Sequence, residues 1–132
     1  MKTAKQAIKW AEANIGKPAP GGKGHCQELV RTAYGLPAWA TSAKLAYEKT
    51  PRKEIHTGTK WAEIPAGAFV YYPTLSDYGH VTLSLGGGYV VSNDYPDKWG
   101  IIVKAPVQLP AWHGVEHFGG WSLWTPYGEI TL

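Results

Sequence analysis

The chain has 132 residues, a formal net charge of +3 at neutral pH, 44% hydrophobic residues and 17% charged residues. This composition excludes a disordered chain, and the length predicts one domain, residues 1–132, that buries a core without disulfides. The small positive charge favours an anionic substrate or surface. Because no arginine-rich helix or nucleic-acid-binding motif accompanies that charge, we expect no nucleic-acid partner.

The aromatic and cysteine contents narrow the function further. Seven Trp and eight Tyr against two Phe indicate a surface that binds a partly polar ligand, such as a sugar or a peptide, or else an aromatic-rich core. The one cysteine excludes an intrachain disulfide and a multi-cysteine zinc site. Because there is neither a secretory signal nor an apolar run of membrane-spanning length, we expect a protein that is synthesised in the cytoplasm, does not insert into membranes and needs help to leave the cell. We also expect a monomer.

Three helices are predicted in the first half of the chain, over residues 4–15, 25–34 and 42–49. Thr3 and Gln6 form a capping box at the start of the first helix, and apolar residues then recur at helical spacing. Gly35 ends the second helix, and Thr41 or Ser42 caps the third.

The second half of the chain is rich in predicted strands, over residues 68–72, 80–85, 89–93, 101–103 and 120–124. Three consecutive glycines at 86–88 form a tight turn and make a hairpin of the second and third strands. Helices followed by strands predict an α+β domain, in which the N-terminal helices pack on a central antiparallel sheet.

Cys26 is the first candidate for chemistry, because it follows a glycine-rich stretch and opens the second helix. Backbone N–H groups and the helix dipole at such a position stabilise a thiolate, and the same N–H groups, including that of Cys26, offer an oxyanion hole. The alternative is that Cys26 is a small core residue on the apolar face of the helix.

A nucleophilic cysteine needs a general base and a group that orients the base. His80 begins a predicted strand and is the candidate base, although it could be purely structural. Ser92 and Asp94 share one face of the next strand, whereas Asn93 points the other way. Asp94 is the preferred orienting residue because it can accept the imidazole N–H, and Ser92 and Asn93 remain alternatives. Asp94 could also be only a turn former.

The other four histidines do not match a zinc-binding motif. His113 and His117 are four residues apart, but the glycines around them, Gly114, Gly119 and Gly120, argue against a stable helix there. We therefore expect neither a metal ion nor a cofactor. His25 precedes Cys26 but points to another side of the helix, so it is not chosen as the base.

With these residues in place, the chain resembles the papain-like cell-wall peptidases of the NlpC and CHAP type (CHAP: cysteine, histidine-dependent amidohydrolase/peptidase), above all the compact forms of actinobacteria and their phages. From its first matching segment to its last, the resemblance spans about three quarters of the chain. Its segments, in the family's order, are residues 26–37, 64–72, 78–88, 91–96 and 119–122. The helix-borne cysteine and the Gly-His-Val strand before a glycine turn are its most specific parts.

The resemblance implies a papain-like α+β fold and hydrolysis of amide bonds in peptidoglycan. It implies Cys26 as the nucleophile, His80 as the base and a third polar residue within 92–94, for which Asp94 is chosen. The chain departs from the NlpC pattern at three positions. His25 stands where the family usually has Asp, Ala68 stands where it often has an acidic residue, and Ser92 stands where it often has His.

The expected function is therefore that of an endolysin-like hydrolase, a cysteine peptidase or amidase that cuts a stem peptide or cross-bridge. Tyr78, Trp61 and Trp99 are the expected walls of its substrate cleft. Such an enzyme acts on the cell wall after release through a holin-type pore or delivery by a phage. The alternatives are a non-catalytic wall-binding module and a thiol acyltransferase on the same fold.

Overall fold

The computed structural model describes residues 1–22, 24–95 and 98–132. Lys23, Pro96 and Asp97, which are expected in loops, lie outside the described residues. The helices are α1 Ala4–Ala13, α2 Cys26–Tyr34, α3 Ala43–Lys49 and α4 Gly114–His117, and the strands are β1 Phe69–Tyr72, β2 His80–Gly86, β3 Tyr89–Asn93, β4 Ile102–Pro106, β5 Gly120–Ser122, β6 Trp124–Thr125 and β7 Gly128–Glu129. The predicted α+β class is confirmed.

Local side-chain chemistry sets the ends of the three N-terminal helices. Thr3 N–H donates to Gln6 Oε1 (2.9 Å) and Gln6 N–H donates to Thr3 Oγ1 (3.3 Å), which completes the capping box of α1. Gly35 ends α2 in the left-handed conformation, with φ of 68°. Ser42, rather than Thr41, caps α3, because its Oγ accepts the N–H of Leu45.

Five strands form one antiparallel sheet in the order β4-β3-β2-β1-β5. Strands β2 and β3 are paired from Gly86, which lies opposite Tyr89, to Leu83, which lies opposite Val91. Strand β3 then continues along β4 until Asn93 lies opposite Ile102. The start of β2 and the end of β3 therefore lie at one end of the sheet, beyond the residues that pair the two strands.

Two segments differ in secondary structure from the sequence-based expectation. The last predicted strand is divided at Leu123, so that Trp124 belongs to a separate hairpin of β6 and β7. The division has a local cause, because the side chain of Ser122 accepts the N–H of Trp124 and turns the chain. The segment between His113 and His117, which is not expected to be helical, forms one short helical turn, α4.

The two faces of the sheet belong to two clusters of buried apolar side chains. The first cluster lies between the sheet and helices α1, α2 and α3, and its strand residues include Phe69, Tyr71, Val81 and Val91. The second covers the other face with the side chains Val70, Tyr72, Val90 and Ala105 and with rings from the loops. Alternate residues of β1 thus enter opposite clusters, as the two-residue period of a strand requires. Within the described ranges, no helix combines the length and the apolar character needed to traverse a lipid bilayer.

Gly67 joins α1, α2 and the sheet at one point. It has φ of +98°, its carbonyl accepts the hydroxyl of Tyr34, and a Cβ there would collide with Ala4 Cβ and lie 2.8 Å from Tyr34 Oη.

We predict that Gly67→Ala lowers the free energy of unfolding by about 2–4 kcal/mol, since the new methyl adds a clash to backbone strain. Gly87→Ala is the matched control, because Gly87 has φ of +64° with open space around it, and should cost about 1 kcal/mol. Urea unfolding measures both, and equal losses would contradict the packing role of Gly67.

Candidate active site

Cys26 is the first residue of α2, and its side chain is buried, with 7% of the residue exposed. Burial, with a smaller contribution from the nearby charge of Asp94, raises the pKa of the thiol to about 11. The nearby backbone N–H groups of Val81 and Gln27 lower the pKa of the thiol without offsetting the burial. The expected thiolate at the helix N-terminus is therefore corrected: Cys26 is a neutral thiol at neutral pH.

His80 is the first residue of β2 and is 1% exposed. Its ring stacks on Tyr72, at 5.9 Å between centroids, and meets the edge of Tyr95 at 4.7 Å. Burial lowers the pKa of this imidazole to about 3, so the ring is neutral at neutral pH. The preceding Gly79 has φ of +70°, and a Cβ there would lie 3.0 Å from the backbone nitrogen of Lys44 in α3. The glycine before the histidine thus allows the strand to begin directly beside α3.

Ser92 is the residue that holds the imidazole. His80 Nε2 lies 2.8 Å from Ser92 Oγ, and Ser92 Oγ in turn donates to the carbonyl of Asn93 (3.3 Å). With its own proton used in that second bond, Oγ accepts from Nε2–H. This assignment places the proton on Nε2 and leaves Nδ1 as the basic nitrogen of the ring.

Asp94 does not occupy the position expected of it. Its carboxylate accepts the N–H of Gly24 (2.7 Å) and the N–H of Gly100 (2.6 Å), and its own φ is 68°. Asp94 therefore joins the loop that precedes Cys26 to the loop that follows β3. The expected hydrogen bond from the imidazole to Asp94 is corrected to one with Ser92. Strand alternation places Ser92 on the face of the imidazole, as expected. Asp94 would share that face if the strand continued, but the chain turns after Asn93 and directs Asp94 elsewhere.

Asn93, the third alternative, faces the helix layer with Val91. It is completely buried, and among the described residues neither polar atom of its amide has a hydrogen-bond partner.

Cys26 and His80 line one small cavity of about 110 Å³. Tyr78 and Trp99, two of the expected cleft residues, line it as well and are 74% and 49% exposed. The third, Trp61, is not among the lining residues, because it packs edge-on against Phe118 at 5.0 Å in the second apolar cluster. That prediction is therefore wrong: Trp61 is a packing residue on the opposite face of the sheet from the helices.

Two aromatic residues missed by the sequence analysis complete the surroundings of His80. Tyr95 contacts His80, and it also meets Trp99 at 5.3 Å and Trp112 at 5.0 Å. The signal for Tyr95 is its place directly after the polar end of β3. Trp112 comes from a 3₁₀ turn, Pro110–Trp112, far along the chain, and only the fold brings it here.

A larger cleft of about 520 Å³ adjoins this cavity and shares Cys26, Gly24, Tyr78 and Gly79 with it. One of its walls is the first part of α2, and the other is formed by residues 38–43. Lys44 N–H donates to the carbonyl of Tyr78 (2.8 Å) and so holds the rim of the cleft against α3. In the described ranges, no group of three or more His, Cys, Asp and Glu side chains is placed to bind a metal ion.

Comparison with known proteins shows a likeness in structure and none in sequence. No protein-family model matches the chain, and no curated protein matches it. The crystal structure of a wild-type endolysin, LysIME-EF1, is similar, with a TM-score of 0.65 and 12% identity, over 92% of this chain and 63% of that chain. The chain therefore spans less than two thirds of the length of that endolysin. At this identity the likeness shows a shared fold.

The buried imidazole makes stability depend on pH. The folded pKa of about 3 lies below the ordinary 6.5, so the unfolded chain binds one more proton between these values. The contribution of the neutral His80 to the free energy of unfolding is therefore fully present above pH 6.5. We predict that this free energy falls by about 1.4 kcal/mol per pH unit as the pH decreases from 6.5 towards 3.

His80→Gln, which cannot titrate, is the control for this prediction. Urea unfolding at pH 6, 5 and 4 should give a shallower decline for His80→Gln, because the chain's carboxylates contribute equally to both proteins. Parallel declines would show that His80 titrates normally in the fold.

Proposed function

We propose that this chain is a peptidoglycan hydrolase that cleaves an amide bond of a stem peptide or cross-bridge through an acyl-enzyme on Cys26. The observation that carries the proposal is the shared cavity of Cys26 and His80, with the imidazole held by Ser92. The likeness in fold to an endolysin, the class of enzyme that degrades bacterial cell walls, supports the choice of substrate. The resemblance to NlpC- and CHAP-type peptidases supports the choice of nucleophile and base.

The reaction begins from a neutral thiol and a neutral imidazole. His80 Nδ1 takes the thiol proton as the sulfur attacks the amide carbon, and the backbone N–H groups at the start of α2 stabilise the oxyanion. The imidazolium then gives its proton to the leaving amine, and the acyl group stays on Cys26. Water attacks this thioester with His80 again as base, which releases the acid and restores the thiol. Because the imidazole is buried, its charged form is costly, and proton transfer accompanies sulfur attack.

The exposed rings of Tyr78 and Trp99 lie at the mouth of the cavity and are suited to contact a peptide attached to sugar. A monomer of this size suffices for such a reaction, since the proposed nucleophile, base and orienting residue all come from one chain. Action on the wall follows release through a holin-type pore or delivery by a phage.

The nucleophile is tested with Cys26→Ala. We predict that this variant loses at least 1000-fold of the rate at which the parent clears a suspension of purified cell walls, because no acyl-enzyme can form. Alkylation of the single thiol of the parent by iodoacetamide should abolish clearing in the same way. Binding of the variant to walls, measured by sedimentation, should persist. Clearing at the parental rate by Cys26→Ala would refute Cys26 as the nucleophile, whereas a parent that binds walls without clearing them would be a non-catalytic wall-binding module.

The orienting residue is tested with Ser92→Ala. We predict that kcat falls by about tenfold with little change in KM, because the imidazole loses the hydrogen bond that fixes its tautomer. Asn93→Ala is the matched control, since it removes a side chain from the neighbouring position on the opposite face, and should keep kcat. Circular dichroism and thermal unfolding establish that both variants are folded. A fall in kcat confined to Asn93→Ala would refute the assignment of Ser92.

A further inference from the structure

Asp94 lines the cavity of Cys26 and His80, but the proposed reaction does not use it. The residue is 3% exposed, and its two carboxylate oxygens accept different backbone N–H groups. Oδ2 accepts from Gly24 (2.7 Å), and Oδ1 accepts from Gly100 (2.6 Å). Both are charge-assisted hydrogen bonds, the stronger kind. Since both oxygens are engaged within the protein, Asp94 acts on the cavity through the backbone of its neighbours.

The bond from Gly24 fixes the backbone just before the nucleophile. The loop that leads to α2 is tied near its start by Ala19, whose N–H donates to the carbonyl of Gly100 (2.8 Å). The end of this loop is tied by Gly24, two residues before Cys26. Among the described residues, the side chain of His25, the N-cap residue of α2, makes no capping hydrogen bond. The carboxylate therefore sets the position of the helix start, together with the free N–H groups there.

The bond from Gly100 fixes the backbone that carries two rings of the cavity. Trp99 directly precedes Gly100 in the chain, and Tyr95 directly follows Asp94. The two rings meet at 5.3 Å, and Tyr95 contacts the imidazole of His80 at 4.7 Å. Asp94 thus joins the backbone beside one ring to the backbone beside the other.

The charge of Asp94 does not assist the chemistry of its neighbours. Burial raises the pKa of the Cys26 thiol most, and the carboxylate of Asp94 adds a smaller contribution in the same direction. A carboxylate here therefore opposes formation of the thiolate. The imidazole of His80 is held by Ser92 instead. What Asp94 contributes to the reaction is the position of other groups.

We propose that Asp94 is a positioning residue, which holds the loop before the nucleophile and the loop that carries Trp99 in a fixed relation. A carboxylate is required, because the two N–H donors approach different oxygens. An amide offers one acceptor oxygen, and its NH2 group would face the second N–H donor. The effect of Asp94 on the reaction rate rests on the proposed function, whereas its hold on the two loops is independent of it.

Exchange of backbone amide protons with deuterium, followed by NMR, measures the two loops directly. In the parent, the N–H groups of Gly24 and Gly100 should exchange slowly. Asp94→Asn, which keeps the size of the side chain and tolerates the left-handed backbone, should exchange at least one of them about tenfold faster or more. The N–H of Gly16, which donates to the carbonyl of Ile102 (2.8 Å) beyond the proposed hold, should keep its parental rate.

Two results of this measurement would overturn the proposal. One is exchange at the parental rate for both glycines in Asp94→Asn. The other is fast exchange of both glycines in the parent, a measurement that needs no variant and decides the matter even if Asp94→Asn does not fold.

Kinetics of wall clearing test the effect on the reaction. Asp94→Asn should lower kcat by about 10- to 100-fold, because the nucleophile is displaced, and should raise KM because Trp99 is displaced as well. This differs from Ser92→Ala, in which KM changes little. Asp77→Asn is the matched control, since it removes the same charge from an exposed side chain beside Tyr78, and should keep both constants. Equal changes in both variants would assign the effect to charge and overturn the positioning role.

A double-mutant cycle tests whether Asp94 acts through Trp99. The increase in KM caused by Trp99→Ala should be about threefold smaller or less in Asp94→Asn than in the parent, because the ring is already displaced. Tyr78→Ala is the control, since the loop of Tyr78 is held by the N–H of Lys44, and should raise KM by the same factor in both backgrounds. Equal factors for Trp99→Ala in both backgrounds would overturn the link between the two loops.

The two kinds of measurement separate this proposal from the proposed function. A parent that clears walls, together with parental kcat and KM in Asp94→Asn, would overturn the positioning role and leave the hydrolase intact. A parent that does not clear walls would overturn the hydrolase, and amide exchange would still decide whether Asp94 holds the two loops.

Discussion

The contact between the start of α2 and the start of β2 is the constraint on which the site depends. Cys26 and Val81 belong to the same buried cluster, and the backbone N–H of Val81 is near enough to the sulfur to lower its pKa, so the first residue of the helix lies against the second residue of the strand. His80 is the neighbour of Val81 and lines the same cavity as the thiol. Asp94 reinforces this arrangement from the other side by holding Gly24 and Gly100 on one carboxylate. The helix layer and the sheet thus meet at the two groups that the proposed reaction needs.

Burial of these two groups has a consequence for their chemistry. Desolvation favours the uncharged form of each, raising the pKa of Cys26 and lowering that of His80. A preformed thiolate–imidazolium pair is therefore disfavoured in the free protein. The hydrogen bond to Ser92 then matters more, because a neutral imidazole acts as a base only from the nitrogen that carries no proton. Burial and tautomer together assign the role of base to Nδ1.

The surroundings of the nucleophile divide into two regions of different chemistry. On the side of His80, rings of Tyr95, Trp99 and Tyr78 provide apolar and partly exposed surface. On the side of α2, Gln27, Glu28 and Arg31 provide a polar wall. A substrate that combines sugar rings with a polar peptide suits both regions at once, which agrees with the proposed function.

The sequence by itself determined the features that depend on near neighbours in the chain. The capping box of Thr3, the glycine end of α2 at Gly35 and the strand that follows the three glycines are local effects, and each was predicted. The order of Cys26, His80 and the polar end of β3 was also predicted. Only the tertiary structure decided that Ser92 holds the imidazole, because the turn after Asn93 redirects Asp94 to Gly24 and Gly100. The tertiary structure also decided that Trp61 packs against Phe118 outside the cleft and that burial keeps the thiol of Cys26 neutral. Both results depend on segments that are distant in the chain, because these segments supply the packing partners of a ring and the burial of a side chain.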